Sequence, residues 1–442
     1  MDPQVRTFVG TLEGALNAED IITHLTGCIG CGICGNACAW FLGTNNPQLH
    51  PMTRSNLLRS FYFAYIDPNP IGKVLTTLGL KRKPGIAELQ EMRDAIFLCC
   101  TMCGRCSLAC PQGVSNRRIA QLARMALSSC GMVPDTVAEI QRNYQETGHS
   151  FGLTSEAVIG RITAIAKGRD ISVPIDQPGA DYLFACSGIQ TYHSPKDVVD
   201  SVELLTAGGV SFTLSSGLVD TGTEVLTTAV DPVLGRKAVR NTLEEASRLG
   251  CKRVIIGECG CDVRAHLVDL RSFIGADYPD IEIIYVDALL LDLIETGRLL
   301  VEPIDMAVAI HDPCWTTRLS GYGPVIRDLL GKCVTEVVEM EPNGLSSYCC
   351  NGGAGTLRTY PPTSPGMSRR RQVSVLKAEQ MRATGAKMVA TPCASCALSL
   401  ADTSDFYALD LQVSLLCDLV LNSARLASRT RVLEEPPSGK GW

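Results

Sequence analysis

Most of the 21 cysteines in this sequence fall into three sets whose spacing suits metal chemistry. Cys28, Cys31, Cys34 and Cys38 follow C-x2-C-x2-C-x3-C, and Cys100, Cys103, Cys106 and Cys110 repeat that spacing and run into Pro111. Further along, Cys314, the adjacent pair Cys349-Cys350, and Cys393 with Cys396 are spaced C-x34-CC-x42-C-x2-C. Thiolates are soft ligands, and a structural zinc takes four of them in a tetrahedron. Two adjacent cysteines serve one such ion poorly, and five exceed its needs. Surplus thiolate suits an iron–sulfur cluster with more than one kind of iron. The two quartets suit cubanes better than zinc knuckles, the other reading of short cysteine spacing.

The quartets resemble the bacterial two-cluster ferredoxin signature, in which the fourth cysteine of each motif serves the other motif's cluster. That resemblance implies one [4Fe-4S] cubane on Cys28, Cys31, Cys34 and Cys110, and a second on Cys100, Cys103, Cys106 and Cys38. Gly30, Gly32, Gly35 and Gly104 allow backbone N–H groups to approach the sulfides, and Ala39 stands where the first motif often has proline. The five-cysteine set resembles the CCG domain of the heterodisulfide reductase family, with Asn351 placed between the cysteine pair and Gly352-Gly353. The family resemblance implies a non-cubane [4Fe-4S] cluster on Cys314, Cys349, Cys350, Cys393 and Cys396, and extends over about residues 20–425.

These ligands need scaffolds of two kinds. Ala18–Thr26, Leu57–Tyr65, Ile86–Leu98 and Asn116–Ser129 carry apolar residues at helical spacing, so the first part of the chain reads as a mostly α-helical two-cluster module. It is similar to the C-type subunit of heterodisulfide reductase and to the iron–sulfur protein of succinate dehydrogenase. Beyond it, strand-like runs alternate with helices: Asp181–Ala185, Ser211–Leu214, Arg253–Gly257, Ile281–Val286, Met306–Ile310, Val334–Met340 and Lys387–Ala390. Helices Gly235–Leu249 and Ser368–Ala383 lie among them, and the alternation predicts α/β architecture with parallel sheets.

The chain therefore divides into a helical ferredoxin-like domain (1–150), a linker (151–180), a degenerate CCG repeat (181–300), an intact CCG repeat (301–425) and a tail (426–442). The repeat emerges from one constant offset that carries Ser215, Ser216, Cys259 and Asp262 onto Cys349, Cys350, Cys393 and Cys396, with Cys186 falling near Cys314. The first copy thus lacks its central pair and last ligand. With Cys186, Cys259 and the displaced Cys261 alone it is not expected to hold a five-thiolate cluster.

Composition excludes several classes. An apolar content of 45% and a charged content of 19% describe a packed protein too long for one core. A net charge of −6 offers no footprint for nucleic acid. The apolar windows 61–80 and 281–301 are broken by prolines or acids, so no membrane span is expected. No export signal is read at the N-terminus, so a cytoplasmic location with reduced thiols is expected, with any membrane association through a partner.

His311 and Asp312 precede Cys314, where a histidine is either a proton donor beside a cluster or a strand-end residue bonded to backbone. Arg369-Arg370-Arg371 reads as a solvated helix face sooner than as an anion clamp, and Lys81-Arg82-Lys83 as a solvated turn. Cys99, Cys130, Cys251, Cys333 and Cys417 read as packing residues.

With no flavin or nicotinamide motif, the cluster set implies an electron-transfer component of a multi-subunit redox complex rather than a stand-alone enzyme. The resemblance points to a flavoprotein like the A-type subunit of heterodisulfide reductase, or to a membrane cytochrome, as its partner. A thiol or disulfide reductase that binds substrate sulfur at the non-cubane cluster is the alternative, and a metal-stabilised interaction scaffold a third. No catalytic residue is assigned.

Overall fold

The computed structural model describes residues 1–16, 21–357 and 365–426. They form two compact units: Met1–Ala138 with Thr228–Pro232 and Gly353–Leu376, and Glu139–Thr227 with Val233–Gly352 and Lys377 onwards.

The first unit is helical. Its main helices are α1 (Pro3–Leu16), α2 (Pro51–Phe61), α3 (Pro70–Thr77), α4 (Ile86–Arg93) and α5 (Asn116–Ser129). α1, α2 and α4 all pack on α5. α1 buries Val5, Phe8, Leu12 and Leu16, a single helical stripe, and Phe8 meets Phe61 at 5.0 Å between ring centroids. α2 starts where Pro51 fixes the first turn and the His50 side chain accepts from the Met52 N–H. α5 starts on Ser115, whose hydroxyl accepts from the Arg118 N–H. Both α2 and α4 relax at their ends into wider i→i+5 turns, at Tyr62–Ile66 and Asp94–Leu98. The second of these delivers Cys99 and Cys100. Such widened turns often occur beside functional positions.

The second unit carries two four-stranded parallel sheets, β1 (Tyr182–Ala185), β2 (Phe212–Thr213), β3 (Arg253–Ile256) and β4 (Glu282–Tyr285), then β5 (Ile304–Ile310), β6 (Val334–Glu339), β7 (Met388–Thr391) and β8 (Gln412–Leu415). Their strand orders are β2-β1-β3-β4 and β6-β5-β7-β8, one topology used twice. β3 buries Val254, Ile255 and Ile256, and β7 buries all of Met388–Thr391, as central parallel strands covered on both faces require. In each sheet the chain leaves the first strand toward one edge and returns to its other side. Ligand sites in such sheets lie at the carboxyl ends of the strands flanking that reversal. Cys186 and Cys259 follow β1 and β3, and Cys314 and Cys393 follow β5 and β7, at those ends.

The seven strands expected from the sequence are all present; β8 was hidden because its apolar run continues into the helix Leu416–Ser423. The expected linker 151–180 is in large part a helix, α6 (Ser155–Gly168), capped by Thr154 and burying Val158, Ile162 and Ala166. It packs on α7 (Pro195–Ala207). The apolar residues four apart outweigh the Gly, Pro and Asp residues, which lie mostly beyond it. The Ser368–Ala383 helix divides at Ser374 into Pro365–Val373 and Val375–Ala383. The tail, apart from its first residue, lies outside the described residues.

Candidate metal centres

Cys28, Cys31 and Cys34 meet Cys110, from the far end of the second motif, around one solvent-open cavity that Met52, Pro111 and Val114 also line. Gly32 and Gly104 hold the same place in their motifs, immediately after the second cysteine, with φ of 77° and 80°. That left-handed turn, cheap only for glycine, folds each loop so that its thiols converge. His50 braces the first loop, with its Nε2 3.0 Å from the Gly32 carbonyl. Burial raises the Cys34 thiol, and the nearby Cys28 and Cys110 raise it further.

Cys38 in turn lies with the second motif. The Cys106 thiol is pushed well above its ordinary value by burial first, then by Cys103, Cys38 and Cys100. Into this group projects Arg54, 4% exposed, from α2. Its Nη2 donates to Cys38 Sγ at 3.2 Å and its Nη1 to the Cys99 carbonyl. Burial works against the guanidinium's charge, yet the thiols of Cys38, Cys100 and Cys106 hold its pKa above the ordinary value. Arg124, on α5 and fully buried, donates to the carbonyls of Cys100 at 2.8 Å, Ile96 at 3.0 Å, Thr228 at 2.7 Å and Ala354 at 2.9 Å. It ties the start of the second motif to two later segments of the same unit. Cys99 packs with Trp40, Leu49, Met367 and Val373, as a small core residue.

In the second unit Cys349, Cys350, Cys393 and Cys396 are all buried, with Cys350 Sγ 3.2 Å from Cys396 Sγ, too far apart for a disulfide. Backbone N–H groups are aimed at three of the sulfurs: Asn351 to Cys349 at 3.3 Å, Gly352 to Cys350 at 3.4 Å and Gly260 to Cys393 at 3.4 Å. Asn351 makes the first of these contacts from a strained φ of 64°. Helix α8 (Ala394–Phe406) carries Cys396 and Ser399, whose hydroxyl donates to the Cys350 carbonyl at 2.6 Å. The thiols favour a shared negative charge: hydrogen bonds from Cys349 and Cys396 hold Cys350 well below its ordinary pKa. Cys314 is buried in the turn after β5, next to an ion-paired frame in which Arg327 bonds Asp312 at 2.8 Å and Glu339 at 2.6 Å.

Two cationic or basic groups face this centre. His311 has a nitrogen within 4.8 Å of both Cys350 and Cys396 sulfurs, and among the described residues neither ring nitrogen has a hydrogen-bond partner. The reading of a strand-end histidine bonded through its ring to backbone does not hold. Lys377 is 1% exposed, with its pKa lowered to about 8 by burial despite the opposing pull of Cys350, Cys349, Asp312 and Cys396. A buried ammonium calls for an anion. Converging thiols, backbone N–H groups aimed at sulfur and buried cations fit anionic, thiolate-bound clusters better than a bare cation.

Comparison with known proteins agrees with this donor chemistry. Residues 24–114 match the family model of a 4Fe-4S dicluster domain, and residues 308–401 match that of a cysteine-rich domain. The D subunit of the dihydromethanophenazine:CoB–CoM heterodisulfide reductase from Methanosarcina barkeri is 25% identical over 92% of this chain and 96% of its own length. The chain is thus similar to that heterodisulfide reductase subunit over nearly the whole length of both. The Hdr-like menaquinol oxidoreductase iron–sulfur subunit 2 of Archaeoglobus fulgidus is 25% identical over 75% of the chain and 67% of its own length. The B subunit of the CoM/CoB fumarate reductase of Methanothermobacter marburgensis is 26% identical over 69% and 57%.

The first sheet does not follow the offset drawn from the sequence. Ser215 donates to Glu245 and Ser216 to Asp176 at 2.5 Å, so neither turns toward Cys259 or Asp262. It is Thr221 whose hydroxyl meets Asp262 at 2.5 Å, as Cys350 meets Cys396, with Thr223 adding a second bond at 2.8 Å. Its neighbour Asp220 accepts from the N–H groups of Gly188 at 2.6 Å, Gly222 at 2.8 Å and Ser150 at 2.7 Å. Asp220, Thr221 and Asp262 thus form a buried, internally bonded oxygen network. Thr221 lies 41 residues before Asp262 whereas Cys350 lies 46 before Cys396, a difference that one constant offset cannot carry.

Burial raises Asp262 to about 7, against the bonds from Thr221 and Thr223 that lower it and with Asp220 and Glu224 adding to the rise. The folded state therefore holds a proton that the unfolded state releases near pH 4, and stability falls as pH climbs from there to about 7. Asp262→Asn keeps the oxygen that accepts both hydroxyls and removes this cost. We expect the variant to gain on the order of 3 kcal/mol over wild type at pH 8 and less at pH 5. Denaturant unfolding at the two pH values checks the difference.

Of the arginine triplet, Arg370 is fully buried with its Nε 3.1 Å from Met367 Sδ, so the triplet is not simply a solvated face. Sequence reasoning also passed over Arg54, Arg124 and Lys377. Each sits on the apolar stripe of its helix, where a charge is out of place unless something pairs it.

Proposed function

We propose that the protein is the electron-transfer component of an oxidoreductase complex of the heterodisulfide reductase kind. It would hold one cubane on Cys28, Cys31, Cys34 and Cys110, a second on Cys100, Cys103, Cys106 and Cys38, and a non-cubane [4Fe-4S] cluster on Cys314, Cys349, Cys350, Cys393 and Cys396. The observation that carries this reading is the exchange of fourth cysteines, with Cys110 beside the first motif and Cys38 beside the second. Clusters of this kind, when bound, accept and release electrons one at a time. The chain's own residues supply the setting: N–H groups from Asn351, Gly352 and Gly260 stabilise charge on sulfur, and Arg54 and Lys377 offset it.

The shared topology of the two sheets supports reading 181–300 as a repeat of 301–425 whose cluster has been replaced by the Asp220, Thr221 and Asp262 network. A donor and an acceptor must come from partners, a flavoprotein resembling the A-type subunit of heterodisulfide reductase or a membrane cytochrome. Ile29, on the rim of the first cavity and 67% exposed, supports an outside contact at that end. No described helix is long and apolar enough to cross a membrane, and we place the protein in the cytoplasm, joined to any membrane complex through its partners.

A second reading, a thiol or disulfide reductase, is favoured by His311, which stands ready beside Cys350 and Cys396 to serve a substrate sulfur. Anaerobic purification tests the main proposal. About 12 iron atoms per chain, four per cluster, are expected, with a flavoprotein or cytochrome co-purifying. About 8 would remove the non-cubane cluster, and a fully active isolated chain reducing a soluble disulfide would favour the second reading.

A further inference from the structure

The insert between the two cysteine motifs contains a helix that buries nothing. α3 has no buried residue, and Ile71, Val74 and Leu78, on one face, are 74%, 56% and 64% exposed. Leu80, just past its end, is 73% exposed. A surface helix normally turns such a stripe inward, because apolar area left in water is not compensated. The stretch 68–84 also carries Lys73, Lys81, Arg82 and Lys83 with no acidic residue, in a chain whose net charge is −6.

The segment is presented firmly. The Asn69 side chain caps α3 by accepting from the Gly72 N–H at 2.6 Å. The Tyr65 hydroxyl donates to the Pro84 carbonyl at 2.7 Å, closing the base of the hairpin, and Lys83 stands 4.7 Å over the Tyr65 ring. Arg82 pairs with Glu88, which leaves Lys73 and Lys81 turned to solvent. At eight residues the helix is far too short to span a bilayer.

We propose that the 68–84 hairpin seats the N-terminal unit on an anionic lipid surface. Ile71, Val74, Leu78 and Leu80 would enter the boundary between headgroups and acyl chains, and the lysines would stay at the phosphates on their apolar stems. An apolar face edged by cations and free of acids matches that surface in both respects. A protein partner would need an acidic rim around an apolar groove, and nothing in the chain selects one. The proposal does not depend on the clusters, so its failure leaves the electron-transfer reading untouched.

Co-sedimentation of the full chain with vesicles tests it. We expect binding to phosphatidylglycerol-containing vesicles at least tenfold tighter than to phosphatidylcholine alone. V74E/L78E should abolish it, and K73E/K81E should weaken it at least fivefold. All four side chains are exposed, so an unchanged thermal midpoint confirms that the variants fold. Failure of the wild type to bind anionic vesicles, or binding that V74E/L78E leaves intact, overturns the proposal. So does a defined partner protein protecting this face while vesicles do not, which would make it a protein interface.

Discussion

Replacing Cys350 by serine is expected to abolish the spectroscopic signal of the five-cysteine centre and to remove about four iron atoms per chain, leaving both N-terminal signals readable. Cys350 is 2% exposed, lies 3.2 Å from Cys396 and receives the Gly352 N–H. Its carbonyl is fixed by Ser399 on the same helix as Cys396, so the two sulfurs are set by one rigid element. A serine hydroxyl is harder than a thiolate and must lose a far less acidic proton, which leaves one iron under-coordinated. Serine at Cys186 or Cys259 is the contrasting experiment. Around them Thr221, Thr223 and Asp220 already commit their hydrogen bonds to Asp262 and to backbone, so iron content should barely change. A loss of a whole cluster from Cys259→Ser would show that the first sheet is loaded. Anaerobic iron analysis with electron paramagnetic resonance reads both outcomes.

What the sequence made legible was whatever depends on spacing. Two quartets of fixed spacing, seven apolar runs and one offset between Cys259 and Cys393 lead to the cysteine groups and to parallel sheets, because thiol ligation and strand period are local properties. What it concealed depends on three-dimensional pairing. The helix over 155–168 reads as linker if Gly and Pro nearby are weighted above Val158, Ile162 and Ala166. Thr221 cannot be matched to Cys350 by a rigid offset, since the connections after β2 and β6 differ in length while their ends are fixed by Asp262 and Cys396. Lys377 and Met381, four apart and both buried, form a helical stripe that breaks pattern with a charge. Arg54 with Leu58 and Phe61, and Arg124 with Ala120 and Leu127, do the same. A cation on an apolar stripe is the signal that would have located all three in advance, because burial of an unpaired charge is too costly to persist.

Arg54→Gln is expected to lower the reduction potential of one N-terminal cluster and leave the other in place. The guanidinium is buried and donates to Cys38 Sγ at 3.2 Å, with the thiols of Cys100 and Cys106 also holding its charge. Around the first group, Cys28, Cys31, Cys34 and Cys110, the cavity is lined by Met52, Val114 and uncharged polar groups, with no arginine or lysine among them. Reduction adds a negative charge, which a fixed cation favours. At a separation of about 5 Å and an effective dielectric near 20, the attraction amounts to roughly 3 kcal/mol. That is about two powers of ten in the oxidised-to-reduced ratio, or roughly 120 mV for a one-electron couple. In wild type a cluster held by Cys38 should therefore be the one that fills first, and an electron entering at the exposed Cys31 end would run downhill toward it. Redox titration followed by electron paramagnetic resonance should show one midpoint falling in Arg54→Gln and largely restored in Arg54→Lys, which keeps the charge but loses the fork. Iron content must match wild type, since Arg54 also holds the Cys99 carbonyl. Two unshifted midpoints in a fully loaded variant would mean that the guanidinium only braces the loop.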